Sequence, residues 1–182
     1  MPWLRPGPSP HATGLAMIGA RPGQQLLMVG AADPGLSAAI AGVTGLNGRT
    51  LVVDPAPGAQ GAIERAAADA GTLVEFEPRP PAASPGQVEF DIVVLSQTLG
   101  LSGQSPATQM AEASRALREG GRIIVIQRGK PGGILAAFRG EGTTALTGET
   151  IRDLLTSAGF RAARVLAHVA GMIYVEASKR SG

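Results

Sequence analysis

The chain is expected to be an α/β domain: a mostly parallel, seven-stranded sheet with helices on both faces, closed by an antiparallel C-terminal hairpin. Three observations lead there. Short, continuous apolar runs of strand length alternate with stretches whose apolar residues recur at helical spacing. Glycine or proline punctuates most junctions between them. The last two apolar runs are separated only by Ala170-Gly171, which leaves room for a hairpin and nothing longer. The 182 residues suit one domain, expected over 25–182 behind an N-terminal arm over 1–24.

The elements follow in order. Within the Pro- and Gly-rich arm, Leu15-Ala16-Met17-Ile18 is apolar enough to dock as a helical turn. Leu26 to Val29 reads as a strand buried on both faces, ending at Gly30. Leu36, Ile40 and Val43 then predict a helix that opens at Pro34, with Asp33 as N-cap. Thr50 to Val53 is a second strand stopped by Asp54-Pro55, and residues 58–70 form a helix with Ile63, Ala66, Ala67 and Ala70 on one face. Thr72 to Phe76 is a third strand; the prolines over 77–89 exclude a regular helix from the next crossover. Asp91 to Leu95 is a fourth strand, and Ser105-Pro106 opens a helix that runs to Leu117. Gly120-Gly121 leads into a fifth strand, Arg122 to Ile126. A glycine-rich stretch over 128–147 has room for one turn at Ile134–Phe138. Thr147 then starts a helix that Gly159 ends. Strands over 162–168 and 171–177 close the chain.

Composition excludes several classes of function. Gly 26 and Pro 14 are high, yet 44% hydrophobic and 16% charged residues describe a folded chain with many turns. The net charge of +2 comes with no Lys/Arg cluster, so nucleic acid is not indicated. Without cysteine there is no disulfide, thiolate metal site or thiol nucleophile, and two separated histidines, His11 and His168, argue against a metal site. His11 would serve as a base only if the arm folded over the site; for both histidines a structural or solvated role is the expectation. No run approaches a membrane span, and the proline-rich N-terminus lacks the apolar core of a signal peptide, so a cytoplasmic protein is expected.

In an open α/β sheet a ligand sits outside the carboxyl ends of the strands, where the strand order reverses. The turn after the first strand, Gly30-Ala31-Ala32-Asp33-Pro34-Gly35, leads into a helix N-terminus suited to an anionic group. The second strand ends in Asp54, whose carboxylate can accept hydrogen bonds from a ribose diol. Together they point to an adenosine-containing ligand.

Several segments carry a more specific signal. They are Gln24 to Gly30, Leu51-Val52-Val53-Asp54, Phe90 to Leu95, Ala116-Leu117-Arg118-Glu119-Gly120-Gly121-Arg122-Ile123-Ile124-Val125, and Leu154 to Phe160 before the hairpin. Over roughly 20–178 the chain resembles the class I S-adenosylmethionine-dependent methyltransferases. The resemblance implies a Rossmann-like methyltransferase fold, strand order 3-2-1-4-5-7-6, with S-adenosylmethionine as cofactor. It implies that Gly30, Ala31, Ala32, Asp33 and Gly35 face the methionine moiety and that Asp54, with Pro55, holds the ribose. Glu77 is implied at the adenine amino group, and Ser96 and Gln97 near the transferred methyl, where they orient a small-molecule acceptor.

The sequence departs from the family in the same turn. Ala32 and Pro34 stand where the family has its second and third glycines, and Met28 replaces an acid two residues before Gly30. Ser96-Gln97-Thr98-Leu99 is not the Asn/Asp-Pro-Pro-Tyr motif of amino-directed nucleic-acid methyltransferases. Two alternatives stay open: a catalytically inactive relative serving as a binding or assembly module, and an NAD-binding domain, which the closing hairpin disfavours. An exposed sheet edge together with Leu15–Ile18 would support a homodimer.

Overall fold

The computed structural model describes residues 10–80, 89–99, 104–129 and 146–180. The crossover over 81–88 and the possible turn at 134–138 therefore lie outside the described residues. The elements run α1 (Ala12–Ile18), β1 (Gln25–Val29), α2 (Pro34–Thr44), β2 (Arg49–Val53), α3 (Ala59–Ala70) and β3 (Glu75–Glu77). They continue with β4 (Phe90–Ser96), α4 (Pro106–Ala116), β5 (Leu117–Arg128), α5 (Gly148–Ser157), β6 (Arg161–Val169) and β7 (Met172–Ser178). The seven strands form one sheet in the order β3-β2-β1-β4-β5-β7-β6, the expected one. β1 pairs in parallel with β2 and β4, whereas β7 runs antiparallel to both β5 and β6. Among the described residues no helix is long and apolar enough to cross a membrane.

The continuous apolar runs are explained by burial on both faces. Along β1, Leu27 and Val29 join a core with α4 and α5, while Leu26 and Met28 face α1, α2 and α3. The same alternation places Val93 and Leu95 on the first face and Ile92 and Val94 on the second. Each such buried Val, Leu or Ile contributes about 1.5–3 kcal/mol, and this is what holds the central strands in register.

Helix starts follow the expected chemistry. The Asp33, Ser105 and Thr147 side chains accept from the amides of Leu36, Thr108 and Thr150, capping α2, α4 and α5. The hairpin turn has Ala170 and Gly171 both at positive φ, 51° and 77°, the backbone a two-residue turn of matching twist requires. Residues 10–24 belong to the same folded body, because Ile18 is fully buried in the core beneath α2. Arg122 donates to the carbonyls of Ile18 and Gly19 at 2.9 and 3.3 Å and pairs with Glu176, fixing the end of α1 to the sheet. With Ile18 spent on the chain's own core, that residue offers nothing to a second copy.

Three boundaries differ from the sequence reading. β3 begins at Glu75, not Thr72: Leu73 is 77% exposed, and the segment after Gly71 approaches β2 only from Glu75, which pairs with Leu51. Leu117 is buried as expected but belongs to β5, where it pairs with Phe90, so α4 stops at Ala116. Gly120 and Gly121 consequently lie within an irregular strand rather than before it, and the register shifts between Phe90 and Ile92 absorb the extra residues. Ala70, expected on the packed face of α3, is exposed, leaving Ile63 and Ala67 as the buried residues.

Candidate functional site

β1 and β4 are neighbours whose onward connections leave in opposite directions, so a crevice opens at their carboxyl ends. A cleft of about 550 Å³ occupies it, bounded by Gly30 to Ala32, Asp54, the start of α3, Ser96 to Thr98, and Gln127. Its volume falls within the roughly 300–1,000 Å³ of ordinary small-molecule sites. A second groove of about 530 Å³ lies at the opposite end of β2, beside Leu46, Leu73 and the Arg49–Glu75 ion pair. Its place at the carboxyl ends of the strands favours the first.

Gly30 sets the floor of the cleft. Its φ is 95°, and its amide donates to the Val53 carbonyl at 2.9 Å. A Cβ there would stand 2.4 Å from the Ser96 carbonyl oxygen and 2.8 Å from Thr98 Cγ2, so glycine is what allows β4 to approach the turn. Asp54 closes the turn from the other side. Its Oδ2 accepts from the Ala31 amide at 2.7 Å and its Oδ1 from the Ala56 amide, also at 2.7 Å. Each oxygen of an ionised carboxylate has a further lone pair, so both can still accept a ligand hydroxyl.

Gly30, Ala31, Ala32, Asp54, Ser96 and Gln97 all line the cleft. Asp33 and Gly35 do not. Asp33 Oδ1 accepts from Leu36 N at 2.9 Å, while Oδ2 faces His11 Nδ1 at 3.3 Å. The His11 ring lies on Gly35, where a Cβ would be 2.4 Å from Nε2. These two loop residues seat the arm. Pro55 is exposed and outside the lining, and the Glu77 carboxylate pairs with Arg79 at 2.7 Å beyond it. Glu77 reaches the site only through its carbonyl, which accepts the Asp54 amide at 3.3 Å.

The spacing of motifs did not single out Thr98, Gln127 or the small residues Ala56, Gly58, Ala59 and Ala62, all of which line the cleft. Gln127 is the penultimate residue of β5, and the pairing of β5 with β4 brings it to the cleft. The small residues leave a clear wall beside Asp54. A carboxylate with free acceptor capacity, glycine at the closest approach and small side chains along one wall are residues that could hold S-adenosylmethionine.

No protein-family model matches the chain, and no curated protein matches it by sequence. Solved structures do match by shape. A methyltransferase dependent on S-adenosylmethionine from Aquifex aeolicus superposes with a TM-score of 0.74 at 18% identity, covering 94% of each chain. The N-methyltransferase NodS from Bradyrhizobium japonicum gives 0.70 at 17% identity, again over 94% of each. An O-methyltransferase from Thermotoga maritima gives 0.70 at 14% identity; 94% of this chain is covered, but only 64% of the longer one. The likeness is one of fold; in this chain the antiparallel β7 distinguishes the sheet from an all-parallel dinucleotide-binding one. The chain has the Rossmann-like fold of the class I S-adenosylmethionine-dependent methyltransferases.

Proposed function

We propose that the chain binds S-adenosylmethionine in the cleft at the carboxyl ends of β1, β2 and β4 and transfers its methyl group to a small-molecule acceptor. The observation that carries this reading is Asp54: an acid at the end of β2, bonded to the turn after β1, with both carboxylate oxygens able to accept further donors in the same cleft as Ser96 and Gln97. Bound there, the cofactor supplies a methyl group already activated by its sulfonium. The protein's own task is then placement and exclusion of water. Gly30 lets the ligand and β4 come close, Asp54 fixes the ribose, and the segment over 96–98 bounds the side on which an acceptor must lie.

A specific observation also favours the inactive binding module. Pro34 has no amide to offer, and Asp33 Oδ1 already holds the Leu36 amide, so the start of α2 presents fewer donors to a methionine carboxylate than a glycine loop would. Calorimetry separates the two. With an intact site, S-adenosylmethionine and its demethylated product bind, Asp54→Ala weakens both by at least about tenfold, and NAD gives no heat. Absence of heat for all three at about 1 mM leaves the binding module.

A further inference from the structure

Three large apolar side chains are exposed among the described residues, Leu46 at 88%, Leu73 at 77% and Val169 at 43%. The first two come from separate connections, between α2 and β2 and between α3 and β3, yet both line the groove of about 530 Å³ at the start of β2. The groove exists because the chain between Gly71 and Glu75 stands away from β2, which β3 joins only from Leu51 onward. Gly45 and Gly71 also line it, and a Cβ on either would meet nothing within 4 Å, so an incoming side chain can reach the backbone there. Two projecting leucines beside a wall without side chains are apolar surface that the chain's own fold does not cover.

The charges at the groove say what kind of surface fits it. Its lining has one cation and one anion, Arg49 and Glu75. Arg49 donates Nε to Glu75 Oε1 at 2.9 Å and Nη2 to Oε2 at 2.6 Å, while the Glu75 side chain stays 57% exposed. Each carboxylate oxygen keeps a lone pair and the guanidinium keeps Nη1, so both groups can take a second partner. A surface of one sign selects a partner of the other sign. A surface with one charge of each sign is matched by its own copy after a half turn, which sets each Arg49 against Glu75 of the other copy. A net charge of only +2 opposes that approach little.

The sheet edges are poorer faces for a second copy. Two β3 strands paired antiparallel about Phe76 would set Glu75 opposite Glu77 of the other copy, like charges at cross-strand distance. β6 is irregular against β7, with register shifts between Arg161 and Arg164 and between Val165 and Ala167, and bulges of this kind turn an edge away from pairing.

We propose that the groove is the face of a two-fold dimer, in which Leu46 and Leu73 of each copy enter the glycine-walled groove of the other and Arg49 and Glu75 pair across the axis. The face lies at the opposite end of β2 from Asp54, so pairing leaves the cleft open and does not depend on what the cleft binds.

Sedimentation velocity on the full chain, from about 1 to about 100 μM, reads the association directly. The wild type is expected to be dimeric at the upper concentration. Leu46→Ser and Leu73→Ser each weaken the dimer by at least about tenfold. Both variants fold, because the two side chains are exposed within one copy. Arg49→Glu and Glu75→Arg are each monomeric alone, and an equimolar mixture associates again, since each variant supplies the charge that the other lacks. A wild type that stays monomeric at about 100 μM overturns the proposal and leaves the groove to a different protein or a small apolar ligand. A dimer that withstands both leucine substitutions overturns it too, as do charge variants that remain monomeric when mixed.

Discussion

The Ala31 amide donates to Asp54 Oδ2 at 2.7 Å, so the turn after β1 and the acid after β2 form one unit. Asp54 is therefore a structural clamp as well as a candidate ribose ligand, and the two roles separate by substitution. Asp54→Ala leaves the amides of Ala31 and Ala56 without their acceptor. Hydrogen bonds to a charged group contribute about 1.5–3 kcal/mol, so urea unfolding is expected to show a loss of about 2 kcal/mol. Asp54→Asn keeps one acceptor oxygen and loses less. Equal stability for wild type and Asp54→Ala would show that the turn does not depend on the acid.

Close approach at Gly30 makes a sharper prediction than its backbone angle alone. Gly30 and Gly58 have similar φ, 95° and 85°, but a Cβ at 58 meets nothing within 4 Å, whereas one at 30 meets the Ser96 carbonyl. Gly58→Ala is expected to cost about 1–2 kcal/mol, the ordinary left-handed penalty. Gly30→Ala adds the collision with β4 and is expected to cost clearly more, shown by a larger drop in the unfolding midpoint or by failure to fold. Equal losses would mean that β4 yields freely at Ser96.

The N-terminal arm is coupled to the loop through His11. An alanine at position 35 would place its methyl 2.4 Å from Nε2, and the imidazole is the group that can move. Its pairing with Asp33 is then lost. Gly35→Ala and His11→Ala are each expected to lower stability by less than about 1 kcal/mol, since the pair is partly exposed, and the double variant by no more than the larger single loss. Additive losses in chemical unfolding would show that Gly35 and the arm do not interact.

The strands and helix starts were legible because they rest on patterns written along the chain: β1, β4 and β5 read as continuous apolar runs, and Asp33, Ser105 and Thr147 stand directly before their helices; the order of the strands in the sheet came from the family resemblance. Asp54 was legible for the same reason. Leu117 was not, since a leucine spaced from Met110 and Ala113 continues a helical face as well as it starts a strand, and only pairing with Phe90 decides. Glu77 stood at the end of β3, but Arg79, two residues later, engages its carboxylate. Gly35 belongs to a turn for which the family resemblance implied a place facing the methionine moiety, but the His11 ring from the arm lies on it. Gln127 stands near the end of β5, where no motif marks it, and only the cleft beside Ser96 to Thr98 brings it into view. What sequence lacks in each case is the partner brought by tertiary structure, and a side chain's role at this site depends on that partner.

Tyr174 gives the pH prediction. It is 7% exposed on β7, within the core on the α1–α3 face, and its phenol is raised above the usual value of 10.0, first by burial and then by the Asp33 carboxylate. A raised value in the folded state means that the unfolded chain releases this proton at lower pH than the folded one. The associated stability is complete below pH 10.0 and is lost as pH rises through the folded-state value. Melting temperatures of the wild type and Tyr174→Phe should therefore run parallel up to pH 10.0 and diverge above it, the wild type falling faster. Because burial is the larger cause, Asp33→Asn is expected to remove only the smaller part of that divergence. If Asp33→Asn removed all of it, the carboxylate rather than the apolar surroundings would be what keeps the phenol protonated.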